Sequence, residues 1–261
     1  MTPLDLDLDL ALETARRAAE AAGRAALAHF RTGVAVERKP DRSPVTAADR
    51  DTEAAILEIV RAAFPAASIL AEETGAHAGD PSLRWIVDPL DGTRGFTRGG
   101  SFWGPLIALE HNGEIVAGAA ALPAAGELYF AARGRGCHRG DGAPVRLSGI
   151  DDWAEATISV GELPRLYETA GAAGVGALVR TAASARCYGD VAGALMVLAG
   201  RAEVWLEAGV RIWDIAPMKI LFEEAGGRFT DLAGVPTVGN GHALGSNGRL
   251  HDYVLATLSA G

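Results

Sequence analysis

Asp88-Pro89-Leu90-Asp91-Gly92-Thr93 follows directly on the apolar run Trp85-Ile86-Val87. Two carboxylates three residues apart, at the end of a buried strand, invite cation chemistry, because converging carboxylates repel and are costly to bury alone. Pro cannot continue a central ladder and Gly permits unusual φ, so the segment is expected to turn sharply. Such a turn would aim both carboxylates at one point, which unbroken strand alternation does not do. An all-oxygen donor set suits Mg²⁺ better than zinc, which draws His and Cys. Asp, Pro and Gly are also ordinary turn residues, so the hexapeptide alone leaves a plain surface turn open.

Two further acidic stretches change the balance. Ser68-Ile69-Leu70-Ala71-Glu72-Glu73-Thr74 is apolar and ends in paired glutamates. Arg211-Ile212-Trp213-Asp214-Ile215-Ala216-Pro217 sets an aspartate among bulky apolar residues, opening a helix that runs through Leu221 and Phe222. Taken alone, Asp214 reads as a cap for backbone N–H groups. In this order, the three stretches resemble the inositol monophosphatase superfamily of metal-dependent phosphatases, from about Lys39 to Gly227.

Position by position, that resemblance implies that Glu72, Asp88, Asp91 and Asp214 are side-chain metal ligands, joined by the carbonyl of Leu90. It implies two or three Mg²⁺ ions, with Asp88 bridging two of them. Glu72 and Thr93 would position the attacking water, and Asp49, in Pro44-Val45-Thr46-Ala47-Ala48-Asp49, would orient the Thr93 hydroxyl. Glu73 would tune the site rather than ligate. Phosphate ester hydrolysis of this kind depends on positioning and electrostatics more than on covalent chemistry. Backbone amides at Gly92 and Thr93 would bind phosphate if they begin a helix.

Composition agrees. At 261 residues and 49% hydrophobic, the chain can bury a substantial core. Its net charge of −9 argues against nucleic acid as a general partner. Bound metal would still admit a phosphorylated small molecule. Cys137 and Cys187 form neither a disulfide framework nor a zinc spacing, which fits a reducing cytoplasm. No run is apolar enough to span a bilayer, and the alternating Asp and Leu of Met1 to Leu10 is not a secretory signal but a short edge strand or, in the favoured reading, a tail.

Beyond that tail, Leu12, Ala15, Ala19, Ala22, Ala26 and Phe30 recur at helical spacing, and Asp49 to Phe64 suggests a second helix. Strands are expected at Ser68–Ala71 and Trp85–Val87. A hairpin should join Phe102–Glu110 to Ile115–Leu122 through His111-Asn112-Gly113, with Leu128–Ala132 extending the sheet. The Gly-rich turns at Arg133–Gly136 and Arg139–Gly142 allow a phosphate cradle but read more simply as turns. From about Asp152, strands at 156–160, 202–206 and 227–230 alternate with helices at 163–173, 191–199 and 216–225. The pattern gives an α+β lobe over 1–145 and an α/β lobe over 146–261. The resemblance implies a layered α-β-α-β-α sandwich with the site between lobes, often assembled as a homodimer.

Substrate choice rests on two more segments. Arg186-Cys187-Tyr188-Gly189-Asp190 leads into a helix that Asp190 could merely cap. The run also resembles the histidinol-phosphate phosphatase branch of the superfamily, and Phe102-Trp103-Gly104-Pro105-Leu106-Ile107-Ala108-Leu109 does the same. Glu207, seven residues before Asp214, matches a position that contacts the leaving group. The resemblance therefore implies that Asp190 and Glu207 share a cationic alcohol, with Arg186 also among the substrate-binding residues, where inositol phosphatases carry a small neutral residue at position 190. Pro105 in place of the usual Thr, and Gly95 in place of a larger residue, depart from the pattern without touching a proposed metal ligand. The expected activity is Mg²⁺-dependent hydrolysis of histidinol phosphate in histidine biosynthesis. Inositol 1-phosphate is the alternative substrate, and a metal-binding regulator without turnover the alternative class.

Overall fold

The computed structural model describes residues 6–260. Helix α1 (Leu8–His29) is capped by Asp7, whose Oδ1 accepts from the N–H groups of Asp9 and Leu10 at 3.0 and 2.9 Å. From Leu8 onward the expected tail is therefore helix, with an aspartate of the Asp-Leu alternation serving as its cap; residues 1–5 lie outside the described residues. The buried stripe of α1 is Ala11, Ala15, Ala18, Ala19, Ala22 and Ala26, small enough for close packing on α2 (Ala47–Ala63). A short ribbon, β1 (Glu37–Arg38) paired with β2 (Pro44–Val45), comes between them.

The first large sheet holds β3 (Ala67–Ala71), β4 (Gly75–His77), β5 (Asp80–Asp91), β6 (Gly104–His111), β7 (Glu114–Leu122), β8 (Glu127–Ala132) and β9 (Gly136–Arg139). Their order is β4-β3-β5-β6-β7-β8-β9, and only β3 and β5 run parallel. The expected hairpin joins β6 to β7, with Asn112 and Gly113 at φ 53° and 83°, the left-handed pair that a two-residue hairpin turn needs. The one-turn helix α3 (Thr93–Phe96) lies between β5 and β6.

After a long connection come β10 (Thr157–Val160), α4 (Leu163–Leu166), α5 (Ala172–Thr181), β11 (Ser184–Arg186), α6 (Asp190–Leu198), β12 (Val204–Ala208), α7 (Ile212–Glu224), β13 (Arg228–Thr230), β14 (His242–Ser246) and α8 (His251–Ser259). The second sheet has the order β11-β10-β12-β14-β13, with β11, β10 and β12 parallel. The single helix expected over 163–173 is two helices, because Gly171 caps a fresh start at Ala172. Helix α7 begins at Ile212, four residues before the expected Ala216, and carries Pro217 inside it.

Strand alternation in β5 divides the core. Trp85 and Val87 pack with the alanines of α1, while Ile86 packs on the other side with Leu195 of α6 and Phe222 of α7. Both faces are buried, as the unbroken apolar run requires. Helices α6 and α7 lie between the two sheets, and α5 and α8 cover the far face of the second through Val175, Leu178 and Val254. The layers are α1 and α2, sheet, α6 and α7, sheet, α5 and α8, which is the α-β-α-β-α sandwich. The apolar core on Ile86 includes residues from both sides of position 145.

Candidate metal centre

Strand β5 does not end in a turn before its carboxylates. It continues to Asp91, but the register against β6 shifts between Asp88, opposite Leu106, and Asp91, opposite Gly104. That irregularity at Pro89-Leu90 achieves what regular alternation forbids, aiming residues i and i+3 to one side. Asp88 is 2% exposed, and its Oδ1 accepts from the N–H of Leu90 at 2.9 Å. Gly92 follows at φ 80°, where a Cβ would lie 2.7 Å from the carbonyl oxygen of Phe102. Glycine is required there on both conformational and steric grounds.

Asp214 joins from the middle layer. At the third position of α7, its Oδ2 accepts from the N–H of Arg211 at 2.6 Å. The capping role is thus real, yet it occupies one oxygen of two. Ligand atoms of Asp88, Asp91 and Asp214 lie within 4.8 Å of one another. Asp91 is tied to the same layer, its Oδ2 accepting from the N–H of Val191 at 2.5 Å at the start of α6.

The electrostatics are those of a site built for a cation. Burial, then the charges of Glu72, Asp91 and Asp214, push the Asp88 carboxyl far above its usual range. Burial, then Asp190 and Asp214, do the same to Asp91. Asp214 is raised to about 7, mainly by burial, against the opposing bond from Arg211. A hard divalent cation neutralises such a cluster and accepts its oxygen donors. The side-chain donors fit Mg²⁺ or a similar ion.

Glu72 follows β3 and Glu73 comes next, both bonded to the ammonium of Lys39, at 2.7 and 2.6 Å. Burial opposes the Lys39 charge, but the carboxylates outweigh it and hold the ammonium above the usual lysine range. Glu73 is itself raised to about 7 by burial, with Lys39 opposing. Asp49, 1% exposed at the third position of α2, divides its oxygens as Asp214 does. Its Oδ2 accepts from the N–H and hydroxyl of Thr46 at 2.7 and 2.8 Å, and its Oδ1 faces the Thr93 hydroxyl at 3.1 Å. That hydroxyl also lies 2.8 Å from the Leu90 carbonyl and has one proton to give. A cation taking the Leu90 carbonyl would direct the proton to Asp49.

Gly92 and Thr93 do begin a helix, but α3 is a single turn. It offers an anion individual N–H groups rather than a macrodipole. The other suggested cradle is closed: the N–H groups of Gly134 and Gly136 donate to Glu224 at 2.9 and 2.8 Å. Asp190 is not a cap. Gly189 holds that position, and Asp190 begins α6 with a left-handed backbone and an exposed side chain. Glu207 is buried at 1% exposure, and its Oε2 accepts from the N–H of Asp190 at 3.1 Å. Arg186 stays outside the cluster, its guanidinium turned to the Ala185 carbonyl at 2.9 Å.

Residues 7–260 match the family model described as the inositol monophosphatase family. The chain belongs to the inositol monophosphatase family. Histidinol-phosphatase from Mycobacterium tuberculosis is 38% identical, over 98% of this chain and 98% of its own length. Histidinol-phosphatase from Chlorobaculum parvum is 37% identical, over 100% of this chain and 98% of its own. Among solved structures, inositol monophosphatase from Anabaena (Nostoc) sp. PCC 7120 superposes with a TM-score of 0.85 at 31% identity, covering 98% and 97% of the two chains. This family member is a phosphoric monoester hydrolase, and its acidic cluster is suited to a metal. No helix among the described residues is long and apolar enough to cross a membrane.

Two residues of this phosphatase's site carry no local signal in the sequence. Lys39 reaches Glu72 across 33 positions of sequence. Glu53, 1% exposed on α2, accepts from the N–H groups of Glu73 and Thr74 at 2.9 and 3.0 Å and so fixes the Glu72-Glu73 turn. Its place in an amphipathic helix marks it only as a charge on the buried face. Glu53→Ala leaves two N–H groups without an acceptor, at a cost of about 1–3 kcal/mol. The expected result is a lower melting temperature together with a higher Mg²⁺ requirement for activity, measured by thermal melts and by activity against metal concentration. An unchanged metal requirement would separate Glu53 from the site.

Proposed function

We propose that the protein is a Mg²⁺-dependent histidinol-phosphate phosphatase serving histidine biosynthesis. The observation that carries the substrate is Asp190: a carboxylate relieved of any capping duty, exposed beside the metal cluster, close enough to Asp91 for their charges to interact. Histidinol presents an ammonium and an imidazole, and a carboxylate gives either one a charge-assisted hydrogen bond. Inositol offers only hydroxyls. An aromatic pair stands at the same place, Phe102 against Tyr188 with ring centroids 5.3 Å apart. It supplies the flat, electron-rich face that suits an imidazolium. The curated relatives named histidinol-phosphatase support the same reading.

Asp88, Asp91 and Asp214 would hold Mg²⁺, with Glu72 and the Leu90 carbonyl completing the donor set. Bound there, Mg²⁺ supplies Lewis acidity, offsetting phosphate charge and making water acidic enough to attack phosphorus. The remaining work belongs to the chain. Thr93 orients the water through its hydroxyl, and Asp49, 3.1 Å away, accepts the hydroxyl proton and fixes its direction. The Asp49 carboxyl is raised by burial, with Thr46 opposing, which suits a group that takes up a proton transiently. Gly92 and Thr93 present backbone N–H groups to the phosphate, and Asp190 orients the alcohol.

Phosphate release from histidinol phosphate and inositol 1-phosphate, measured side by side with Mg²⁺, tests the proposal. A kcat/KM larger by about tenfold or more for histidinol phosphate is expected, the discrimination that one charge-assisted bond provides. A preference for inositol 1-phosphate would overturn the substrate while leaving the metal chemistry in place.

A further inference from the structure

The strands β11, β10 and β12 run parallel side by side, so their carboxyl ends open on one edge of the second sheet. Crevices at such ends are where parallel sheets take ligands. Gly161-Glu162 follows β10, the Arg186–Asp190 loop follows β11, and Glu207 lies near the end of β12. Glu162 thus shares this edge with Asp190 and Glu207.

The carboxylate of Glu207 is wedged between the two loops. A Cβ on Gly161 would lie 1.9 Å from its Oε2 and 2.3 Å from its Oε1, and one on Gly189 would lie 3.6 Å from Oε2. That same Cβ on Gly189 would be 3.2 Å from the Gly161 Cα, so the loops touch one another over the glutamate. Oε2 is satisfied by Asp190, and by the Trp205 indole at 3.3 Å, but buried Oε1 has no hydrogen-bond partner. Each covering glycine is followed at once by an exposed acidic residue in left-handed conformation, Glu162 at φ 42° and Asp190 at φ 56°. Side chains rarely accept that region, and such residues gather where the fold over-determines them for function.

Of the basic residues at this edge, Arg186 turns its guanidinium to the Ala185 carbonyl. Arg165, the nearest basic residue in sequence to Glu162, makes its ion pair with Glu168 at 2.9 Å and feels the Glu162 charge more weakly. Arg94 is the cation whose charge opposes the crowding at Asp190. Two exposed carboxylates on touching loops, over a buried and half-satisfied glutamate whose ionised form burial disfavours, form a negative surface beside the phosphate-cleaving centre.

We propose that Glu162 is a specificity-determining residue, pairing with Asp190 over buried Glu207 to select phosphate esters whose alcohol carries two positive charges. The inference rests on the cationic-substrate reading under Proposed function and deepens it. One carboxylate serves a single ammonium; two, on separate loops, bind both positive groups of a dication with charge-assisted bonds. Glu207 acts from beneath as a positioning residue, holding the Asp190 backbone.

The test compares kcat/KM on histidinol phosphate, phosphoethanolamine and inositol 1-phosphate at about pH 6, where much of the imidazole is protonated. In Glu162→Gln, the ratio of histidinol phosphate to inositol 1-phosphate should fall about tenfold through KM, with a smaller fall for the singly charged ester. Glu162→Gly removes the same carboxylate but welcomes a positive φ. It should lose selectivity equally while melting no lower than the parent, so poor folding of the first variant cannot hide the result. Equal ratios in parent and variants would overturn the role of Glu162. A parent enzyme that already prefers inositol 1-phosphate would overturn the underlying substrate reading instead.

Discussion

Asp91→Asn is expected to cut Mg²⁺-dependent phosphate release by about 10³-fold or more, yet to raise the melting temperature of the metal-free protein. The two effects share one cause. Asp91 sits among Asp88, Asp190 and Asp214, and burial together with those charges makes its ionised form costly. Its structural bond, from the Val191 N–H at 2.5 Å, needs only an oxygen acceptor, which asparagine retains. The substitution therefore removes a proposed metal ligand and a source of repulsion while keeping the link between β5 and α6. Phosphate release across a Mg²⁺ titration and thermal melts in chelator measure both. Full activity would dismiss Asp91 as a ligand, and a lower metal-free melting temperature would make its carboxylate structural first.

Much of this acidic cluster is legible in the sequence because its carboxylates come in contiguous stretches with the residues that position them. Asp88 and Asp91 arrive together, Thr93 two residues later, and Asp49 and Asp214 each sit at the third position of a helix, where one oxygen caps and the other faces the cluster. The hairpin at His111-Asn112-Gly113 is legible for a similar reason, since left-handed turns advertise themselves in Asn and Gly. The device that converges Asp88 and Asp91 is not: Pro and Gly signal a turn, but pairing with β6 continues as far as Gly104 and converts the signal into a shift of register. Lys39, Glu53 and Glu162 are illegible because each matters only through partners brought close by tertiary structure, such as Glu73 for both Lys39 and Glu53. The split between α4 and α5 is hidden because Ala-rich sequence carries helix propensity across Gly171, and packing of α5 on α8 decides the new start. Asp190 is the instructive ambiguity. An acidic residue opening a helix is usually its cap, and only the backbone conformation, with Gly189 in the cap position, removes that explanation.

The metal-free protein should lose stability as pH rises from about 6.5 to 8, and saturating Mg²⁺ should flatten or reverse the trend. Asp214 is raised to about 7 from an ordinary value of 3.8, and Asp88 and Asp91 are raised as well. Glu73 is raised to about 7 from 4.5. Between the unfolded and folded values, the folded chain keeps protons that the unfolded chain has released, so stability falls with rising pH. This contribution is fully present below about pH 4 and is lost through about pH 7, each tenfold gain in a carboxyl's proton affinity on folding being worth about 1.4 kcal/mol. His251 works in the opposite direction: burial lowers it to about 4 from 6.5, so its contribution grows with pH up to about 6.5 and is constant above. The carboxylates held low, Asp80 and Asp231 among them, act only at more acid pH. Above about pH 6.5 the raised acids therefore act without that opposition. A bound Mg²⁺ would take their ionised form and displace the retained protons, so its binding should tighten as pH rises and add stability through RT ln(1 + [L]/Kd). Melting temperatures from about pH 5.5 to 8.5, in chelator and in Mg²⁺, check the sign, and Asp214→Asn should flatten the chelator curve. A metal-free melting temperature that climbs between about pH 6.5 and 8 would mean the acids are not held together under repulsion, removing the physical reason this cleft needs a cation.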